Sequence, residues 1–364
     1  RGQRGNPPNW DIYRRNLEAA AQIGRRWLEA APDEAEAHYQ YGLVLMGLQR
    51  FSDAASEFAA ARRLNLRPQP GAWALEWQIE CLFQADSVSR RALPTATALL
   101  DSLARGLLEE PIMTRDTAEL QWVRRAQRAS HAALSGSPSR VPERIGAPPW
   151  NPRAGNPDGW FRAIAQLAAG SSPRNLDAVM ARLQDQGLPP PFALAWNVVG
   201  HLCAGGLCSP QGLSENAGWR ASALALALAG QTDSARAVLR RLDSTQTENE
   251  RFRGGSIEMG FRIAVSHLAL GDTAGALAAL SRVARLQPFF YVIGLDPAYP
   301  LGHHAWVLGR VWLLHADLLR ATGRTEDSHL YYRRVADLWS RADPEIRVFA
   351  DRARAQLPDW MRQP

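Results

Sequence analysis

The chain has 364 residues, enough for two or three compact units or for one elongated repeat array. Apolar residues make up 46% and charged residues 21%, with 13 Trp, which excludes a wholly disordered chain and a collagen-like one. The formal net charge is +6, yet every basic residue is Arg and pairs such as Arg14-Arg15, Arg62-Arg63 and Arg240-Arg241 are interspersed rather than gathered on one face, so nucleic acid is not an expected partner.

Arg1 opens the chain in place of Met, which reads as a processed or truncated terminus; with a cleaved leader in view, the expected setting is extracytoplasmic, periplasmic or secreted. No run approaches 18 uncharged apolar residues, and the stretch from Phe192 to Leu207 is interrupted by Asn197 and His201, so no membrane span is expected. Apolar residues at i, i+3, i+4 and i+7 predict short helices over residues 16–31, 35–47 and 52–65. Residues 73–107 predict a further, divergent pair.

Between Ser135 and Trp160 the composition changes: six prolines from Pro138 to Pro157 forbid a helix, leaving a linker or an ordered loop packed by Val141, Ile145 and Trp150. Helical periodicity returns over 218–229, 232–242, 257–270, 273–286, 311–321 and 325–339. An insertion at 289–304 carries Phe289, Phe290, Tyr291 and Tyr299, too apolar to stand in water, and is expected to pack on the array or on a partner. The resulting division is 1–134, 135–160 and 161–364, all-α throughout.

Residues His38, Tyr41-Gly42, Leu45, Phe51, Ala54, Phe58 and Ala61 resemble the tetratricopeptide repeat, a helix-turn-helix of about 34 residues. Leu17, Ala20, Trp27 and Pro32 fall on second-helix positions one period upstream. Three further copies are similar: Trp219, Ala223, Leu226, Gly230, Ala235 and Leu239; Ile263, Ala264, Gly271, Ala276, Leu280 and Pro288; Trp312, Ala316, Leu319, Gly323, Ser328 and Tyr332. Small residues at these positions let paired helices approach, Gly230, Gly271 and Gly323 end the first helix, and the Thr that follows each is expected to cap the second. The resemblance implies an α-solenoid with two aromatic or proline-rich insertions, closed by a polar last helix bearing Arg347, Asp351, Arg352 and Arg354. It also implies likeness to repeat segments of bacterial signalling and scaffold proteins.

Enzyme motifs are absent: there is no phosphate-binding glycine loop, no Gly-x-Ser-x-Gly and no His-Glu-x-x-His, so no catalytic residue and no cofactor is expected. Cys203 and Cys208 flank two glycines and form either a local disulfide or two reduced thiols; joined by His201 they still lack a second pair of ligands, and no metal is expected. In a repeat array the first helices line a groove. On this register it is lined by Tyr39, Gln40, Leu43 and Met46 in the N-terminal half and by Arg220, Phe261, Arg262, Arg310, Leu313, Asp317 and Arg320 in the C-terminal half. Arginines there suit an acidic protein or peptide. The function expected is a non-catalytic scaffold for protein–protein interaction, with two alternatives: a constitutive subunit of a larger assembly, or an accessory sensor segment of a signalling kinase or regulator.

Overall fold

The computed structural model describes residues 10–64, 74–85, 91–105, 134–140, 223–253, 257–283 and 308–362, together with positions 118, 121, 125, 128 and 132. Among the described residues the regular structure is helical, with no strand. The chain divides into two compact units, one formed by residues 1–99 and 108–115, the other by 100–107 and 116–364.

The first unit holds α1 (Trp10–Ala30), α2 (Ala35–Gly47), α3 (Phe51–Arg63) and α4 (Ala74–Ala85), each packed on the next in chain order. Its core gathers Tyr39, Leu45, Ala54, Phe58, Ala61 and Cys81. Phe58 is fully buried, a gain of about 1.5–3 kcal/mol relative to exposure. It fits because Gly42 lies opposite: a Cβ at 42 would stand 2.9 Å from the Phe58 ring. Ala in place of a longer residue at 54 and 61 serves the same close approach of α3 to its neighbours.

Helix α5 (Ala92–Ala104) crosses the division at Leu99. In the second unit the helices that follow are α6 (Ala223–Leu228), α7 (Thr232–Arg253), α8 (Ile257–Ala269), α9 (Thr273–Val283), α10 (Leu308–Ala321), α11 (Thr325–Leu338), α12 (Pro344–Ala355) and α13 (Asp359–Arg362). Helices α6 and α7, α8 and α9, and α10 and α11 pack as pairs, and α7 meets α8, α9 meets α10 and α11 meets α12. Ala235, Ala264, Ala276 and Ala316 are fully buried in these pairs.

Four turns share one hydrogen-bond register. At Gly230, Gly271 and Gly323 the N–H donates to the carbonyl three residues back, and the next N–H donates to the carbonyl five residues before it: Ala227 and Leu226, Leu268 and His267, Arg320 and Leu319. The α2–α3 turn repeats the pattern at Gln49, with Met46 and Leu45 as acceptors. This is the left-handed helix-ending motif that glycine favours. The three glycines have φ of 74°, 75° and 82°, and Gln49 adopts 61°.

The expectation that the following Thr caps the second helix is corrected. Thr232, Thr273 and Thr325 are the first helical residues, and the cap position falls one residue earlier. At α9 that residue is Asp272, whose Oδ1 accepts from the Gly275 N–H at 2.8 Å. Helix α1 starts at Trp10 rather than at 16, and α7 runs 22 residues to Arg253, well beyond the expected end at 242. Past Leu242 a polar run, Asp243 to Arg253, carries no breaker, so nothing stops the helix there.

Residues 134–140 belong to the second unit and dock on the α11–α12 corner. Trp339 Nε1 donates to the Leu134 carbonyl at 3.3 Å, the Asp343 N–H donates to the Gly136 carbonyl at 2.9 Å, and Ser139 donates through its N–H and hydroxyl to the Asp343 carboxylate at 2.8 and 2.7 Å. Pro138–Arg140 form a 3-10 turn, which proline tolerates, and the rest of the proline-rich stretch lies outside the described residues.

Candidate functional site

Of the four N-terminal groove positions on α2, Gln40 is exposed and held by Glu36 through a 2.7 Å hydrogen bond. Leu43 and Met46 are half-buried against the core. Tyr39 does not face solvent: it is buried, 5.8 Å between ring centres from Phe58. Tyr41, two residues on, is half-buried and lies against Gly24 of α1.

The C-terminal groove positions are more deeply placed than expected. Phe261, Arg262, Arg310 and Leu313 are all buried. The Arg310 guanidinium stacks on Phe349, 4.1 Å from the ring centre, and burial, with repulsion from Arg352, pushes its pKa down to about 10. Arg334 lies 5.3 Å over Trp312 in the same manner. These arginines are inner packing elements, their planar faces against aromatic rings. The aliphatic stems and flat guanidinium make such burial feasible, which a rule placing every Arg in water misses.

Asp317 and Arg320 sit nearer the surface but are engaged by the chain itself. Tyr332 donates to Asp317 at 2.8 Å, Arg352 of α12 donates to its other oxygen at 2.8 Å, and Arg320 bonds Gln356. Burial together with that bond to Asp317 raises the Tyr332 pKa. The structure thus brings Asp317 and Arg320 together on one stretch of α10 facing α12. Arg347, Asp351 and Arg352 of α12 are exposed, with Arg354 half-buried.

Arg220, Cys203, Cys208, Phe289, Phe290, Tyr291 and Tyr299 lie outside the described residues. Among the described residues no group of three or more His, Cys, Asp or Glu side chains could hold a metal ion, and no helix is long and apolar enough to cross a membrane.

Two surface features of the first unit are not singled out by repeat register. The first is a cleft of about 370 Å³ along α1 and the end of α2, lined by Arg14, Glu18, Arg25, Tyr41, Leu48 and Arg50. Gly24 shapes its floor: the Tyr41 ring lies where a side chain at 24 would be, 2.7 Å from a Cβ built there. Arg14 pairs with Glu18 at 3.4 Å and Arg50 with Asp53 at 2.6 Å, both pairs exposed. Hydrogen bonding to Asp53 is the main reason the Arg50 pKa is raised, with Tyr41 contributing. The second feature is on α1's far side, where Ile12, Ile23 and Trp27 are 48%, 67% and 37% exposed. On a helix these positions lie within a narrow sector of the circumference, so they form one exposed apolar stripe. Both features carry a signal in the sequence, arginines along one side of α1 and large apolar residues along the other. The groove positions expected from the sequence lie on other helices, so neither feature is among them.

No family model and no curated protein matches the chain.

Proposed function

We propose that this chain is a non-catalytic helical-repeat scaffold of tetratricopeptide type that binds a protein or peptide partner. The observation that carries the reading is the fourfold recurrence of one turn, at Gln49, Gly230, Gly271 and Gly323, each joining two closely packed helices. Units that cannot bury their apolar face alone and pack mainly on chain neighbours are the hallmark of repeat arrays, and such arrays act by presenting extended surface. The longer α7 is an extension on that plan.

A second reading, a constitutive subunit of a larger assembly, is favoured by the Ile12–Ile23–Trp27 stripe, since an apolar stripe at this exposure belongs at an interface. One experiment tests both. A photo-crosslinking amino acid is placed at Ile23, at Gln40 and, as a control, at Glu326, and the protein is irradiated in native extract. Crosslinks to a protein at Ile23 or Gln40 but not at Glu326 support a scaffold. Stoichiometric crosslinking at Ile23 that survives extensive washing identifies the assembly subunit. Equal labelling at all three positions rejects surface-specific binding.

A further inference from the structure

We propose that the cleft between α1 and the α2–α3 turn binds an extended acidic segment of a partner protein, with Arg14 and Arg50 receiving carboxylates at one end and Arg25 at the other. This deepens the scaffold reading and rests on it, by naming the partner's chemistry at a place that reading leaves open.

The cleft is built rather than incidental. Gly24 removes the side chain that would collide with Tyr41, and the tyrosine ring fills the gap and stands beside Arg50. Three guanidinium groups line it against the single carboxylate of Glu18. Arg25 is exposed and has no carboxylate partner among the described residues. The other two pair with Glu18 and Asp53 in exposed, short-range ion pairs, of the weak kind that a ligand carboxylate exchanges readily. Guanidinium forks match carboxylates bidentately, so three of them around one cleft favour an anionic occupant.

Spacing selects the shape of that occupant. Arg14 and Arg25 are three turns apart on α1, about 16 Å at 1.5 Å per residue. A single phosphate or terminal carboxylate reaches one end. An extended peptide at about 3.3 Å per residue covers the distance with acidic residues about five positions apart. Leu48 and Ala21 provide apolar wall for the residues between.

The test uses the full chain and a fluorescein-labelled decapeptide of Ala and Gly with Glu-Glu pairs five positions apart, read by anisotropy. The expected result is saturable binding that weakens at least tenfold in Arg14→Glu/Arg25→Glu and about threefold in Arg25→Gln, a change too mild to disturb folding. Arg236→Glu in the second unit leaves it unchanged. A peptide with all four Glu adjacent binds several-fold more weakly. Unchanged affinity in Arg25→Gln and in the double variant overturns the assignment, as does a single-stranded RNA of equal charge competing at equal concentration, which makes the cleft a general polyanion site. Loss of cleft binding with crosslinking at Ile23 retained overturns the cleft alone; loss of both overturns the scaffold reading.

Discussion

Gln49 and Gly323 occupy the same position of the same turn, one with φ 61° and the other with φ 82°, each followed by an Arg whose side chain pairs with the Asp three residues on. The glycine adopts this backbone freely; the glutamine does so against the contact of its Cβ with the neighbouring carbonyl. Gln49→Gly is therefore expected to stabilise the first unit by about 0.5–1 kcal/mol, the strain removed being partly offset by extra freedom in the unfolded chain. Urea denaturation followed by circular dichroism measures it, and a midpoint lowered by the change contradicts the shared-turn account.

The converse substitution separates two kinds of glycine. At Gly271 a Cβ meets nothing within 4 Å, so Gly271→Ala costs only backbone strain, about 1 kcal/mol. At Gly136 the φ is 68° and a Cβ would also stand 2.9 Å from Trp339, 3.0 Å from Ala342 and 3.0 Å from Ile346. Gly136→Ala is expected to cost about 3 kcal/mol or more, because overpacking adds to strain in a rigid corner. Calorimetry on the two variants decides it: equal losses mean the docking of residues 134–140 contributes little.

The contrast between those glycines marks where sequence reading succeeds. Gly230, Gly271 and Gly323 announce themselves because a helix period stops at each and resumes after it, and the all-helical architecture follows from local chemistry. Gln49 conceals the left-handed backbone of the fourth turn, since nothing in its residue type signals φ above zero, although the periods over 35–47 and 52–65 leave a break there. Gly136 is hidden for another reason: its partner Trp339 is far away along the chain, and local composition points to a linker. The groove positions show the same limit. Arg262 lies on α8 and Arg310 on α10, but whether a guanidinium faces water or lies on Phe349 is decided by tertiary neighbours. The α1 cleft depends on Gly24 meeting Tyr41, a pairing that helical period alone does not reveal.

Asp101 is a buried carboxylate held by three arginines of the second unit: Arg105 at 2.9 Å, Arg341 at 3.4 Å, and Arg140 in a close contact. Removing the anion leaves cations facing one another in a partly dry site. Asp101→Asn is expected to cost about 3 kcal/mol, in the range found when one partner of a buried ion pair is deleted. Arg341→Gln, whose side chain is 59% exposed, costs under about 1 kcal/mol. Chemical denaturation of both variants checks the ranking; similar losses show that Asp101 is not the node.

His315 gives the second unit a stability that depends on pH. The ring is buried, its Nε2 lies 3.3 Å from the Ser281 hydroxyl, and it lies tilted against Tyr331 with 4.2 Å between ring centres. Burial, aided by Arg324 and Arg334, holds its pKa down at about 4 against an ordinary 6.5. Between those two values the unfolded chain binds a proton that the folded chain refuses, so stability falls as pH drops from 6.5 towards 4 and is fully present above 6.5. The loss amounts to roughly 3 kcal/mol at its limit, because each tenfold drop in proton affinity on folding is worth about 1.36 kcal/mol. His315→Gln removes the titration, so its denaturation midpoint should lose less on going from pH 7 to pH 4.5 than that of the parent chain. Parallel pH profiles for the two proteins would mean that another group carries the acid sensitivity.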